Sequence, residues 1–159
     1  MKLISVMFVC LGNICRSPAA EEILRKKAEA HGLSDTLHIE SSGIGSWHVG
    51  SLPDSRMREA SSKRGYNLSG RAQIFHPSHF KQFDYILAAD EHVLHELHSL
   101  ARSPEEKSKI HLMTAFSKTY PHKNVPDPYY NGQAAFEGVL DILESSIDDF
   151  IDQLKNNNT

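Results

Sequence analysis

The apolar run Leu3-Ile4-Ser5-Val6-Met7-Phe8-Val9 leads straight into Cys10-Leu11-Gly12-Asn13-Ile14-Cys15-Arg16-Ser17-Pro18, and this junction restricts the fold more than any other stretch of the chain. The run is short, β-branched and aromatic, as expected of a central strand buried on both faces of a parallel sheet. Ser17-Pro18 reads as a helix start, with Pro at the first helical position and Glu21 and Glu22 in the favourable first turns. Ala20 stands where a Ser-x-x-Glu capping box needs its Glu, so that box is absent. Leu37 to Ser41, Tyr85 to Ala89 and Ile110 to Thr114 read as further strands, separated by stretches long enough for helices. That alternation is α/β.

The last helix is marked by one apolar stripe, Phe136, Val139, Leu140, Leu143, Ile147, Phe150, Ile151 and Leu154, which reads as core packing. The polar tail Lys155 to Thr159 is expected to fray. With 40% hydrophobic and 23% charged residues and no repeat or linker, residues 1–159 are expected to form a single domain. A formal net charge of -3 gives no general attraction to nucleic acid or to an acidic membrane surface, so any anion site must be local. No apolar run has the length of a membrane helix, and the N-terminal run lacks a signal cleavage site. The 2 cysteines cannot form a secreted disulfide framework, which points to a reducing cytoplasm.

In an open α/β sheet, ligands bind beyond the carboxyl ends of the strands, where the next helix offers unpaired N–H groups and partial positive charge. Gly12 and Asn13 tolerate the positive φ that turns backbone N–H groups inward around an anion. A free cysteine, with a pKa of about 8.5, is only about 3% thiolate at pH 7, so a cysteine nucleophile needs its charged form stabilised. The loop amides, the helix terminus, Arg16 and the Ser17 hydroxyl are all of the required type, and Arg16 can clamp two phosphoryl oxygens at once. An isolated Cys10 would read as a small core residue. Strand, Cys, five residues, Arg-Ser and helix in succession read instead as a nucleophile in a cradle for phosphate and other oxyanions.

The loop Cys10 to Ser17 preceded by Val6-Met7-Phe8-Val9, together with Val125-Pro126-Asp127-Pro128-Tyr129-Tyr130, resembles the low-molecular-weight protein tyrosine phosphatases over nearly the whole chain. The resemblance implies a flavodoxin-like three-layer sandwich with a central four-stranded parallel sheet flanked by helices. It also implies hydrolysis of phosphotyrosine in proteins or peptides through a cysteinyl-phosphate intermediate, without metal or organic cofactor. Cys10 would be the nucleophile, Arg16 the phosphate clamp and Asp127 the general acid, with Leu11, Gly12, Asn13, Ile14, Cys15 and Ser17 around the phosphate.

Expelling a phenolate needs a proton donor in hydrogen-bond reach. Asp127, stiffened by Pro126 and Pro128, is the first choice; Asp90 at a strand end is a rival and Asp54 a weaker one. The resemblance makes the latter two supporting residues. A phosphotyrosine ring needs apolar walls deep enough to disfavour phosphoserine. Trp47 and Tyr129 are the candidates, although a lone Trp serves a core equally well, and the resemblance puts both at the pocket rim. It also makes Tyr130 a potential phosphate acceptor and sets Ser41 behind the loop to fix Asn13, a task Ser42 fits equally from sequence.

Cys15 reads as packing beneath the loop, whereas the resemblance implies a protective disulfide with Cys10. The segment Leu68-Ser69-Gly70-Arg71-Ala72-Gln73 departs from the family pattern at Gly70 and Gln73, so hydrogen bonding behind the loop is expected to differ. His92, His95 and His98 repeat like a solvated helix face rather than a metal site. An arsenate reductase would need cysteines beyond Cys15, a phosphoarginine phosphatase would be expected to carry Thr at Ile14, and a silent binding module would not need Cys10, Arg16 and Asp127 together.

Overall fold

Strand β1 (Ile4–Cys10) sends alternate side chains to opposite faces: Val6 and Phe8 enter one buried cluster, Met7 and Val9 another. Such a strand must lie inside a sheet covered on both sides. It does so in the computed structural model of the chain, which describes residues 3–157. With β2 (Leu37–Gly43), β3 (Tyr85–Ala88) and β4 (Ile110–Leu112) it forms a four-stranded parallel sheet in the order β2-β1-β3-β4. The expected strands are all present, although β3 ends at Ala88 and β4 at Leu112, short of the expected Ala89 and Thr114. The second runs on to Gly43, because the pairing with β1 continues to the register Cys10 opposite Gly43.

The helices are α1 (Arg16–Ala30), α2 (Ser55–Lys63), α3 (His79–Gln82), α4 (Glu91–Leu100), α5 (Pro104–Lys107) and α6 (Gln133–Asn157). Residues of α1, α2 and α6 pack on the Val6 and Phe8 face, and those of α3 and α4 on the Met7 and Val9 face, giving three layers. All eight residues of the α6 stripe are buried. At about 1.5–3 kcal/mol for each large apolar side chain buried, that stripe outweighs helix propensity in holding α6.

Two expectations at helix ends are corrected. Helix α1 begins at Arg16 with Cys15 as its N-cap, so Pro18 is not its first residue, and Glu21 and Glu22 lie beyond the first turn. Their carboxylates serve side chains instead: Glu21 accepts from the Ser41 hydroxyl at 2.6 Å, and Glu22 pairs with Arg25 at 2.6 Å. No side chain at the N-cap of α1 bonds its leading N–H groups. The tail through Asn157 is helical rather than frayed, because Leu154 is buried and Lys155 Nζ reaches His31 Nδ1 at 2.7 Å. The rest of the tail lies outside the described residues.

The hydroxyls of Ser61 on α2 and Ser146 on α6 are buried with no hydrogen-bond partner among the described residues. Ser146→Ala should therefore stabilise the protein by about 1 kcal/mol, since it removes an unsatisfied polar group and keeps a good helix former. A urea melt checks this, and a lower midpoint would contradict it.

Candidate active site

Cys10 is the last residue of β1 and Arg16 the first of α1, so the intervening loop lies at the carboxyl edge of the sheet. Asn13 takes the left-handed turn, with φ 58°. Gly12 does not, contrary to expectation; what it supplies is room, since a Cβ there would lie 3.0 Å from the His48 ring. The loop rests on Gly43, where a Cβ would come within 2.9 Å of the Asn13 nitrogen and the Gly12 carbonyl carbon. It is pinned on one side by Ile44 N–H to Cys10 O at 3.0 Å and Gly45 N–H to Leu11 O at 2.8 Å, and on another by Asp54 N–H to Ile14 O at 2.8 Å.

Asn13 and Ser17, expected around the phosphate, do not line the cavity; their side chains form the frame behind it. Asn13 Nδ2 donates to Ser17 Oγ at 2.7 Å and to Ser41 Oγ at 3.0 Å, while Asn13 Oδ1 accepts from the Gln73 N–H at 2.9 Å. Ser17 Oγ accepts from Asn13 Nδ2 and stands 2.9 Å from Cys10 Sγ and 3.3 Å from Ser42 O, so its single proton can turn to a thiolate. Ser41 passes its proton to Glu21 and so holds Asn13, whereas Ser42 Oγ points to Met7 Sδ at 3.3 Å. The unusual Gln73 is thereby built into the frame, and its side chain also reaches Ser41 O at 2.9 Å and Glu40 Oε1 at 3.1 Å.

Arg16 is buried, with Nη1 donating to Asp90 Oδ2 at 2.6 Å and to Val125 O at 2.9 Å. Val125 N–H in turn donates to Ala89 O at 2.8 Å, which fixes the Pro126-Asp127-Pro128 segment beside the end of β3. The other carboxylate oxygen of Asp90 caps α4 at Val93 N–H, 2.9 Å away, so Asp90 is fully engaged as a holder of Arg16. Asp54 is also committed: burial disfavours its charge, but hydrogen bonds from Arg56 outweigh this and hold its carboxyl below the usual range. Asp127 is half exposed, with Oδ1 accepting from Tyr129 N–H at 3.1 Å and Oδ2 at 3.7 Å from Arg16 Nη2. Of the three acids, it alone borders the cavity.

That cavity, of about 410 Å³, has Cys10, Leu11, Gly12, Ile14, Cys15 and Arg16 at its base. Trp47 and Tyr129 stand on its walls; Trp47 is 70% exposed, which excludes a core role. His48 and the exposed Tyr130 complete the lining. His48, whose ring centroid is 6.2 Å from that of Tyr129, was missed in the sequence, where its only signal was proximity to Trp47. Arg56 was missed too: it donates to Tyr129 O at 2.9 Å and lies over the Tyr129 and Phe136 rings at 5.4 and 4.7 Å. His92, His95 and His98 sit on α4, and among the described residues no three His, Cys, Asp or Glu side chains could hold a metal ion.

Both cysteines are free thiols. Burial, then the charges of Asp54, Cys10 and Asp127, pushes the Cys15 thiol well above the ordinary range. Because alkylation requires a thiolate, one equivalent of iodoacetamide at neutral pH should label Cys10 and leave Cys15 unmodified. Peptide mapping by mass spectrometry reads the outcome, and label on Cys15 alone would contradict it.

A family model described as low molecular weight phosphotyrosine protein phosphatase matches residues 5–159. A Schizosaccharomyces pombe protein named low molecular weight phosphotyrosine protein phosphatase is 41% identical over 136 residues, covering 85% of this chain and 86% of its own. The crystal structure of a protein tyrosine phosphatase from Entamoeba histolytica superposes with a TM-score of 0.93 at 40% identity, covering 98% of this chain and 99% of that one. The structure of YfkJ from Bacillus subtilis superposes with a TM-score of 0.92 at 33% identity, covering 100% and 99% respectively.

Proposed function

The chain belongs to the low molecular weight phosphotyrosine protein phosphatases, and from that membership we propose that Cys10, Arg16 and Asp127 are the residues that carry out its reaction. It is a hydrolase that acts on phosphotyrosine by the cysteine mechanism of its family. The observation that carries the assignment is one cavity lined by the Cys10 thiol, the Arg16 guanidinium and the Asp127 carboxyl together.

In the proposed cycle the Cys10 thiolate attacks phosphorus at the base of the cavity while Arg16 holds two equatorial oxygens. The phosphorus–oxygen bond to tyrosine breaks, and the Asp127 proton passes to the departing phenolic oxygen. Water then attacks the cysteinyl phosphate, Asp127 takes its proton, and inorganic phosphate leaves with the thiolate restored. Trp47 and Tyr129 line the same cavity as the sulfur, and apolar walls of this kind would favour an aryl phosphate over the shorter phosphoserine.

Free phosphate and related oxyanions would occupy the same loop. Phosphotyrosine peptides or exposed phosphotyrosines on proteins would be the substrates, handled by the whole chain as one domain in a reducing cytoplasm. Two free cysteines, and the lack among the described residues of any helix long and apolar enough to cross a membrane, support this setting. The test is a comparison of peptides carrying phosphotyrosine, phosphoserine or phosphoarginine. Phosphotyrosine should be preferred by about 100-fold in kcat/KM, and equal rates on phosphoserine would sink the reading.

A further inference from the structure

Trp47 is the only tryptophan of the chain, it lines the cavity, and it is 70% exposed. An indole so exposed needs a seat if it is to act as a wall, because otherwise its rotamer freedom is lost only on binding. Gly45 supplies that seat. A Cβ built on Gly45 would stand 1.8 Å from Trp47 Cζ3, 2.2 Å from Cε3 and 2.4 Å from Cη2, so the six-membered ring lies directly on the bare Cα.

The backbone does not itself require glycine there. Gly45 is not among the glycines of positive φ, which are Gly32, Gly50 and Gly65, so an L-residue could adopt its conformation. The surrounding segment is stitched at both ends: Ile44 and Gly45 N–H groups bond Cys10 O and Leu11 O, Gly50 N–H bonds Ala72 O at 2.9 Å, and Ala72 N–H bonds Ser51 O at 2.8 Å. A methyl group at position 45 would therefore be relieved by swinging the exposed indole away, not by moving the backbone that pins the loop.

We propose that Gly45 is a specificity-determining positioning residue, which seats Trp47 across the cavity mouth and sets affinity for the aryl part of the substrate without touching its phosphate. The proposal rests on the cavity being the phosphotyrosine site.

Gly45→Ala, Trp47→Ala and the double variant test it, with kinetics on a phosphotyrosine peptide and inorganic phosphate as competitive inhibitor. Gly45→Ala and Trp47→Ala should each raise KM by roughly threefold to tenfold, the double variant no further, and phosphate inhibition should stay at the parental value. The single tryptophan gives a second readout: acrylamide quenching of its fluorescence should increase in Gly45→Ala at an unchanged Tm. Parental KM and quenching in Gly45→Ala, a double variant that adds the two losses, or weakened phosphate inhibition would each overturn the proposal. Full turnover by Cys10→Ser would instead remove the premise, a failure that this set separates from the failure of Gly45 itself.

Discussion

Cys10→Ser should lower turnover of phosphotyrosine by about 10⁴-fold or more, on the scale that removal of an enzyme nucleophile has elsewhere. A serine hydroxyl ionises far less readily than a thiol. Its neighbour at this position would be another hydroxyl, Ser17, which is not a base that could take its proton. The oxyanion cradle should survive, because the loop is held by Asn13, Gly43, Gly45 and Asp54 rather than by the sulfur. Calorimetric titration with inorganic phosphate should thus give binding at near-parental affinity in a variant that does not turn over. Activity within about tenfold of the parent, a loss of only about 1.4 kcal/mol in barrier terms, would exclude Cys10 as the nucleophile.

For Asp127→Asn the expected loss on phosphotyrosine is about 10²- to 10⁴-fold, the range for a missing general acid. The effect should depend on the leaving group. Tyrosine leaves as a poor anion and needs the proton, whereas a phosphate ester of a strongly acidic phenol does not and should be hydrolysed at close to the parental rate. The amide oxygen can still accept from Tyr129 N–H, so the turn that presents residue 127 should persist. Rates across a series of substituted phenyl phosphates give the measurement. A loss of equal size for good and poor leaving groups would take Asp127 out of the acid role and return attention to Asp90, whose two oxygens now serve Arg16 and α4.

Much of the site could be read from consecutive residues, because Cys10 to Arg16 is one short strand-to-helix connection whose parts stay close however the rest folds. The α6 stripe was legible for a similar reason, since its period alone defines a buried face. Errors gathered where local rules compete. Pro18 and Glu21 suggest a later helix start than the one observed, and of Gly12 and Asn13, both suited to a left-handed turn, only Asn13 makes it. The side chains of Asn13 and Ser17 bond each other, and Asn13 also bonds Ser41; the link to Ser41 follows from the resemblance, whereas the one to Ser17 needed the folded loop. In the tail, Leu154 is buried and the helix runs past Lys155 to Asn157, where the polar sequence suggests fraying.

What the sequence determined alone is the chemistry in order: a thiol after a buried strand, an arginine at the next helix, and an aspartate between two prolines far along the chain. Tertiary structure decided what supports them. The β1–β2 register brings Gly43 under the loop. The parallel pairing of β3 with β1 sets Ala89 where it can hold Val125 and, through it, Arg16. These contacts join residues remote in sequence, and they depend on which strands pair and in which register. That choice is made by burying both faces of one sheet at once, a property of the whole core that no local pattern encodes.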